Sequence, residues 1–408
     1  MRIGYYAHHH GSGHCRQADK LAALLPPALQ QQLTVFTSLP ADSYRFNTIK
    51  DKQIVRLNAE DELPEDVLAG RAGQYWQPSS LHYSPVGNKN IQTRSWQLLD
   101  GIKERQIDLM VIDVSVEVAM LCRAASVPYL YVRLAGERDD SPHLSAFTGA
   151  LGLLVPYPNE LEAATTPDWV RQKSLYLDFL ANKSNEPLTF TAFIDKLRTL
   201  TDDKAVHERL QQHLNSVTGS KTHDDDNKYS LSLVTVIKGY GGHEAIDARL
   251  PKLRKVLPDA LIISLGPIDD KARQFVDMAL EVDDVTPFIA HSHLLLMASG
   301  LNGIAQAYRW QTPLVVLPDQ RPHREQEVMA EALIAQGRAL SWEQFITHMT
   351  DENNPDKFLP TSSNTSDLFD PQSNTAAQNF MDSVVAYESA KSWFRDWLLP
   401  KLAINVEI

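Results

Sequence analysis

Ser299-Gly300-Leu301-Asn302-Gly303-Ile304-Ala305-Gln306 is the stretch that decides the fold of this chain, and Pro313-Leu314-Val315-Val316-Leu317-Pro318 and Arg324-Glu325-Gln326 follow it. The pattern predicts a glycine-bearing turn, a helix, a buried strand and a polar loop that opens a second helix. A helix that begins on Ser299 and Gly300 exposes backbone N–H groups, which suit a phosphate or pyrophosphate. The polar loop places its side chains near the same strand ends, where ligands of open α/β sheets bind. The simpler alternative is a tight turn without a ligand.

Size and charge narrow the class of protein. A chain of 408 residues is long enough for two domains, and its net charge of −12 argues against a general nucleic-acid binder. The two cysteines, Cys15 and Cys122, suggest neither a disulfide framework nor a zinc site. There is no secretory-type apolar run at the start and no segment of transmembrane length, so we expect a cytoplasmic protein. Peripheral membrane contact and the oligomeric state stay open.

Strand-like and helix-like segments alternate twice along the chain, which predicts two α/β domains with mainly parallel sheets. Residues 70–90 interrupt this alternation and show no hydrophobic periodicity. We interpret them as a long functional loop. The expected order is an N-terminal Rossmann-like domain over 1–183, a linker or insertion over 184–229, a C-terminal Rossmann-like domain over 230–349, a flexible linker over 350–375 and a terminal helix over 376–408. Because that helix is aromatic, we expect it to dock on a folded surface.

The first strand-to-helix turn carries the candidate for chemistry. It reads His8-His9-His10-Gly11-Ser12-Gly13-His14. Gly11 and Gly13 allow the backbone to approach a ligand closely, and His14 begins the helix. The helix N-terminus disfavours imidazolium and lowers the pKa of His14, so that a neutral ring can act as a general base. The alternative is that His14 only caps the turn. We expect no metal at the consecutive residues His8, His9 and His10, because adjacent strand residues point to opposite faces.

These motifs resemble a known group of enzymes. Gly11-Ser12-Gly13-His14 is similar to the Gly-x-Gly-His opening of glycosyltransferases with two Rossmann-like domains, the GT-B fold. Residues 299–330 resemble the donor region of that group, including the lipid-linked N-acetylglucosaminyltransferase of peptidoglycan synthesis. Val282-Asp283-Asp284-Val285 is similar to the segment near the donor base. The resemblance implies an acceptor side in the first domain, a donor side in the second and a C-terminal helix that returns to the first domain.

The resemblance also implies roles for individual residues. Those expected to contact a nucleotide-sugar donor are Gly239, Gly241, Gly242, Val282, Ser299, Gly300, Asn302, Gly303, Gln306, Arg324, Glu325 and Gln326. Within this set the turn after Ser299 would receive the pyrophosphate, Gln326 would meet the sugar, and Arg324 would stabilise the departing diphosphate. One departure from the family pattern matters most. Gln306 stands where the family usually has a glutamate that holds the ribose hydroxyls, and an amide lacks that charge.

The sequence supports a glycosyltransferase of hexosyltransferase type, with a UDP-linked donor and an unknown hydroxyl acceptor. No cofactor is expected, and no metal is required if helix N–H groups carry the diphosphate charge. Two alternatives stay open: a nucleotide-sugar hydrolase on the same scaffold, and a protein that binds nucleotide sugars without turnover. A dinucleotide-dependent oxidoreductase is less well supported, because neither glycine-rich turn matches Gly-x-Gly-x-x-Gly.

Overall fold

The computed structural model describes residues 1–8, 12–61, 63–66, 79–180, 188–218, 233–239, 244–308, 310, 312–350 and 391–402. The chain divides into two compact units. The first unit comprises residues 1–182 and 385–408, and the second comprises residues 183–384. None of the helices in the described ranges is long and apolar enough to span a membrane.

The first unit is built on a seven-stranded parallel sheet of order β3-β2-β1-β4-β5-β6-β7. Its strands are β1 (Ile3–Tyr6), β2 (Thr34–Thr37), β3 (Ile54–Arg56), β4 (Leu109–Asp113), β5 (Tyr129–Val132), β6 (Gly152–Val155) and β7 (Ser174–Tyr176). Its helices are α1 (Gly13–Ala23), α2 (Pro27–Gln30), α3 (Lys89–Glu104), α4 (Val116–Ala124), α5 (Ser141–Gly149) and α6 (Asp168–Lys173).

Helices cover both faces of this sheet, as the apolar strands require. Along β4, Leu109 and Val111 belong to one buried cluster, whereas Met110 and Ile112 belong to the cluster on the opposite face. Since side chains alternate along a strand, a strand that is apolar at every position must be buried on both sides. The central strands of the sheet are therefore part of two hydrophobic cores.

The end of the chain completes one of these cores. Trp393, Phe394 and Leu398 are at most 3% exposed and pack with residues of β1, α1 and β4. They lie on the helical segment that contains the π-helix Phe394–Leu398 and continues into α16 (Leu399–Leu402). An ideal Cβ on Gly152 would lie 2.4 Å from the Trp397 ring, so the indole packs directly on the β6 backbone. The predicted return of the terminal helix to the first domain is confirmed for residues 391–402; the rest of 376–408 lies outside the described residues.

The second unit contains a six-stranded parallel sheet of order β10-β9-β8-β11-β12-β13. Its strands are β8 (Leu233–Ile237), β9 (Leu261–Leu265), β10 (Met278–Leu280), β11 (Leu294–Met297), β12 (Leu314–Val316) and β13 (Leu340–Ser341). Its helices are α7 (Phe190–Thr199), α8 (Lys204–Thr218), α9 (Glu244–Asp247), α10 (Leu250–Val256), α11 (Asp270–Arg273), α12 (Thr286–His291), α13 (Leu301–Ala307), α14 (Glu325–Ala335) and α15 (Trp342–Thr350).

Two features differ from the sequence interpretation. Residues 184–229 include α7 and α8, whose buried side chains, such as Phe193 and Leu210, join the core formed with β8 and β9. This segment is therefore more than a linker, because its helices cover one face of the second sheet. The short edge strands β7 and β10 are not among the strands that the sequence predicts. Of the loop expected at 70–90, residues 70–78 lie outside the described part of the chain.

Both sheets have a topological switch point, at which consecutive connections run to opposite sides. It lies between β1 and β4 in the first sheet and between β8 and β11 in the second. In open parallel sheets, ligands bind outside the carboxyl ends of the strands at this point, because the following loops diverge and leave a crevice. A functional site is therefore expected in the loops that follow β1, β4, β8 and β11.

The packing of the terminal segment predicts a large loss of stability in Trp393→Ala. Removing a buried indole costs about 3–5 kcal/mol in transfer and cavity terms. Trp96→Ala on α3 is the matched control, because Trp96 is 69% exposed, and we expect its effect to stay within about 0.5 kcal/mol. Denaturant unfolding, followed by circular dichroism, measures both. Equal, small effects would contradict the docking of this segment.

Candidate functional site

His14 and Asp113 form a hydrogen-bonded pair at the switch point of the first sheet. His14 is the second residue of α1, which follows β1, and Asp113 is the last residue of β4. β1 and β4 pair in parallel with Tyr6 opposite Ile112, so the residues after both strands emerge at one edge. Nδ1 of His14 lies 3.0 Å from Oδ2 of Asp113. The carboxylate is fully buried, and the imidazole is 15% exposed.

The surroundings of Asp113 determine the tautomer of His14. The hydroxyl of Tyr5 donates to Oδ2 of Asp113 at 3.1 Å. Burial, and then the neighbouring carboxylate, raise the pKa of Tyr5 well above its ordinary value, so Tyr5 stays a donor. A carboxylate can only accept, so Nδ1 of His14 carries the proton and Nε2 keeps its lone pair. An imidazole held in this way can take a proton at Nε2, and the carboxylate stabilises the resulting imidazolium.

The rest of the first turn frames this pair. Ser12 is the N-cap of α1 without a side-chain capping bond, and its carbonyl accepts from the backbone N–H of Arg16. Gly13 is the first residue of the helix. The His8 ring lies 5.4 Å from the His14 ring, centroid to centroid. Gly11 lies outside the described residues. Asp113 has no role in the sequence interpretation, although an acid at the end of an apolar run was an available signal.

In the second unit, Ser299, Gly300 and Gln326 meet at the carboxyl ends of β11 and β12. Ser299 Oγ donates to the backbone carbonyl of Gln326 at 2.7 Å. Gly300 is the N-cap of α13, and an ideal Cβ there would lie 3.7 Å from Nε2 of Gln326. Oε1 of Gln326 accepts from the backbone N–H of Asp319 at 3.0 Å, so the amide side chain is fixed against the neighbouring loop. The structure thus brings three of the predicted donor residues together.

Two further predicted residues, Gly303 and Gln306, lie on α13. The N–H groups of Gly303 and Ile304 both donate to the carbonyl of Gly300 at 3.0 Å, so the Gly303 amide is used within the helix. An ideal Cβ on Gly303 would lie 2.7 Å from Cε of Met297, and close packing of helix on strand accounts for the glycine. Gln306 is exposed, and its Nε2 donates to the carbonyl of Asn302 at 3.1 Å. Contact of these residues with a donor stays a prediction.

A strained turn precedes α14. His323 and Arg324 both have positive φ, 59° and 52°, which is costly for residues with a Cβ. Glu325 is the first residue of the helix. The guanidinium of Arg324 lies 2.5 Å from Oε1 of Glu331 in an exposed pair. Exposed pairs are worth about 0–1 kcal/mol, so this pair contributes little to the position of Arg324.

The predicted loop after β8 is only partly described. Gly239 is exposed, and Gly241 and Gly242 lie outside the described residues. Lys238, immediately before it, forms a buried ion pair with Asp247, with Nζ and Oδ1 2.6 Å apart. Burial lowers the pKa of Lys238, and Asp247 opposes that effect. Asp247 also accepts from the backbone N–H of Asp269 at 2.9 Å, which ties the ends of β8 and β9 together.

Val282, which is predicted to lie near a donor base, is in contact with a hydrophobic core. The side chain is partly buried and packs against the core that α7 and α8 share with β8 and β9. A packing role explains its apolar character. A role in base contact stays a prediction for this segment.

One cluster in the first unit has residue types that bind metals. One potential ligand atom from each of His82, Asp140 and His143 lies within 4.8 Å of the others. Asp140 is already engaged by both rings, at 2.9 Å from Nε2 of His82 and 2.6 Å from Nδ1 of His143. Nη1 of Arg138 lies 3.1 Å from Nε2 of His143. Burial, and then the Arg138 charge, lower the pKa of His143 to about 3. A guanidinium at that distance repels a cation, and the expectation of no metal or cofactor stays a prediction.

No protein-family model and no curated protein matches the sequence. Solved structures do match. MurG of Acinetobacter baumannii aligns with a TM-score of 0.55 and 10% identity over 98% of this chain and 100% of that one. The spinosyn forosaminyltransferase SpnP aligns with a TM-score of 0.54 and 11% identity over 99% and 100%. The chain has the GT-B glycosyltransferase fold.

The GT-B fold prediction is therefore confirmed, by structure and at low identity. A third match is the spinosyn rhamnosyltransferase SpnG in complex with thymidine diphosphate, with a TM-score of 0.51 and 14% identity over 97% of this chain and 95% of that one. The chain is thus similar in fold to glycosyltransferases, one of which was solved with a nucleoside diphosphate.

Gln306 provides a test of the predicted donor surface. We expect Gln306→Glu to bind UDP at least as tightly as the wild type, because charged hydrogen bonds to ribose hydroxyls are worth roughly 1.5–3 kcal/mol against about 1 for neutral ones. Gln306→Ala should bind more weakly. Both variants should fold normally, since the side chain is exposed. Titration calorimetry with UDP measures the affinities, and severe loss in Gln306→Glu would mean that this position faces something other than ribose.

Proposed function

We propose that this protein is a glycosyltransferase that moves a hexose from a nucleotide-diphosphate sugar, with UDP as the expected nucleotide, to a hydroxyl group of an acceptor. The observation that supports it most is the His14–Asp113 pair at the switch point of the first sheet. It supplies an oriented base on a fold shared with nucleotide-sugar glycosyltransferases. A protein that only bound nucleotide sugars would not need such a pair.

The proposed reaction uses few groups. Nε2 of His14 takes the proton from the acceptor hydroxyl, whose oxygen forms a bond to the anomeric carbon of the donor sugar. The bond from that carbon to the diphosphate oxygen breaks, and the diphosphate leaves with the electron pair. Asp113 stabilises the imidazolium. In this proposal, backbone N–H groups at the start of α13, together with Arg324 once it leaves Glu331, compensate the developing negative charge.

The nucleotide can be tested without knowing the acceptor. We expect UDP to raise the thermal midpoint of the protein more than ADP or NAD does, because a ligand that binds only the native state stabilises it by RT ln(1 + [L]/Kd), which increases as the ligand binds more tightly. Differential scanning fluorimetry at equal ligand concentrations makes the comparison. Equal shifts for all three, or none, would remove the nucleotide assignment.

The pair itself predicts a change in turnover without a change in donor affinity. We expect His14→Ala to lower turnover by ~10²–10⁴-fold, and Asp113→Asn by about tenfold or more, because an amide does not enforce the tautomer. Asp108→Asn is the matched control, since this exposed acid precedes the same strand, β4, at its opposite end. Turnover is the release of UDP from UDP-sugars with a panel of hydroxyl acceptors.

The same assay separates the alternatives. UDP release that reaches its full rate without any acceptor would identify a hydrolase. Tight UDP-sugar binding with no release would identify a binding protein. Wild-type turnover in a folded His14→Ala variant would show that His14 is only a turn residue.

A further inference from the structure

A strained turn follows the carboxylate of the candidate base pair. Val114 comes directly after Asp113 and has a φ of 55°, a left-handed conformation that is a genuine outlier for a β-branched residue. The N–H of Ser115 donates to the carbonyl of Asp113 at 2.8 Å, so these three residues form a γ-turn with a positive φ at its centre. Such γ-turns are rare and strained. Glycine or asparagine adopts a left-handed conformation at a lower cost.

Neighbouring groups hold Val114 in this conformation. Its N–H donates to the carbonyl of Val132 on β5 at 3.3 Å, and its carbonyl accepts from the hydroxyl of Tyr131 on the same strand. Burial raises the pKa of Tyr131 well above its ordinary value, so this hydroxyl remains a donor. Backbone strain persists where the surrounding structure fixes it, and it is concentrated at active sites and at positions that bind ligands.

Two other left-handed residues of the first unit have an ordinary explanation. Gln106 and Ser126 have φ values of 53° and 62°, and they follow the ends of α3 and α4. In each case the N–H of the next residue donates to a carbonyl five residues earlier, at 2.9 and 2.8 Å. This is the Schellman motif, which ends many helices. Val114 lies between a strand and a helix, so its strain has a different origin.

The turn at Val114 directs the chain to one face of the sheet. The helix after it, α4, contributes Val118 to the core on that face. The helix that carries His14, α1, contributes Cys15 to the core on the opposite face. The two connections therefore diverge at the switch point, and such divergence creates the crevice in which ligands of open sheets bind. Val114 lies where the connections separate.

The packing of the sheet does not account for the side chain of Val114. It is partly buried, and in the described part of the chain it belongs to neither of the two cores of the first sheet. An apolar, β-branched side chain is thus retained at a position where its presence strains the backbone. The neighbouring strand end is also apolar, since Leu134 and Ala135 follow β5 and are buried. Apolar side chains therefore follow two adjacent strands beside the Asp113 carboxylate.

We propose that Val114 contacts the acceptor, and that the acceptor carries its reacting hydroxyl on an apolar carbon skeleton rather than among further hydroxyl groups. The isopropyl group packs on the carbons next to that hydroxyl, while the hydroxyl faces Nε2 of His14. A polyol would place hydroxyl groups without hydrogen-bond partners against this apolar surface, which is costly. This assignment deepens the proposed glycosyltransferase function and rests on it.

Cyclohexanol and myo-inositol test the class of acceptor, because both are six-membered carbon rings and they differ in the number of hydroxyl groups. The full chain is assayed with the UDP-hexose that gives the largest thermal shift, and UDP release is measured against the concentration of each alcohol. We expect kcat/KM to be about tenfold or more higher for cyclohexanol, the order of discrimination that an apolar pocket provides.

Three substitutions separate the side chain of Val114 from the turn. Val114→Thr keeps the β-branched shape and adds a hydroxyl, so the preference for cyclohexanol should fall roughly tenfold while the thermal midpoint changes little. Val114→Asn tolerates a positive φ, so it should raise the thermal midpoint by roughly 2–4 °C and also lose the preference. Val114→Ile should keep the preference, because it stays apolar and β-branched.

Ser126→Asn is the matched control for the effect of stability itself. It changes a left-handed residue at the amino edge of the same sheet, away from His14 and Asp113. We expect it to leave the ratio of the two kcat/KM values unchanged. A ratio of two acceptors is used because a variant that is only partly folded lowers both values equally.

The outcomes distinguish this assignment from the proposed function. Acceptor-dependent UDP release without a preference for cyclohexanol, or a preference that survives in both Val114→Thr and Val114→Asn, would overturn the role of Val114 and leave the glycosyltransferase proposal standing. A lower thermal midpoint in Val114→Asn would overturn the strain on which that role is argued. UDP release at its full rate without any alcohol, or no release at all, would overturn both proposals.

Discussion

The parallel pairing of β1 with β4 is the constraint on which the candidate site depends. His14 and Asp113 are 99 residues apart in the chain, and only this pairing brings them to one edge. Asp113 is then a fully buried carboxylate, which is costly unless other groups donate to it. Tyr5 and His14 are those donors, so the geometry of the site and the stability of the sheet edge have the same origin.

The second sheet also has a switch point, but different residues occupy it. Its switch point carries a buried ion pair after β8, between Lys238 and Asp247, and a backbone-to-side-chain contact after β11, between Ser299 and Gln326. Removing one partner of a buried ion pair leaves an uncompensated charge, so Lys238 and Asp247 have strong structural roles. Exposed groups in the described part of this region include Gln306 and the Arg324–Glu331 pair, which a ligand could engage without breaking the core.

The sequence predicted the structural features that depend on local hydrophobic pattern and on glycine position. Apolar runs located the central strands, and the glycine-bearing turns marked both switch points. The fit of α7 and α8 to the second core was missed, because their polar residues dominate the composition and hide an apolar stripe that includes Ile194 and Leu197. The role of Asp113 depends on a contact between distant segments. A local pattern can mark an acid at the end of an apolar run, but it does not report the distant residue that pairs with it. The assignment of donor residues remains a set of predictions for the same reason.

The indole of Trp397 against the backbone of β6 has a consequence for biosynthesis. Residues 393–399 fill a core whose other members belong to the first 180 residues. Domains generally fold as they leave the ribosome, from the N-terminus onward. Here the first unit lacks part of its interior until the second unit has been translated. The nascent first unit therefore exposes an apolar groove until the end of the chain has been synthesised. It is synthesised before the second unit, but its core is completed after the second unit has been translated.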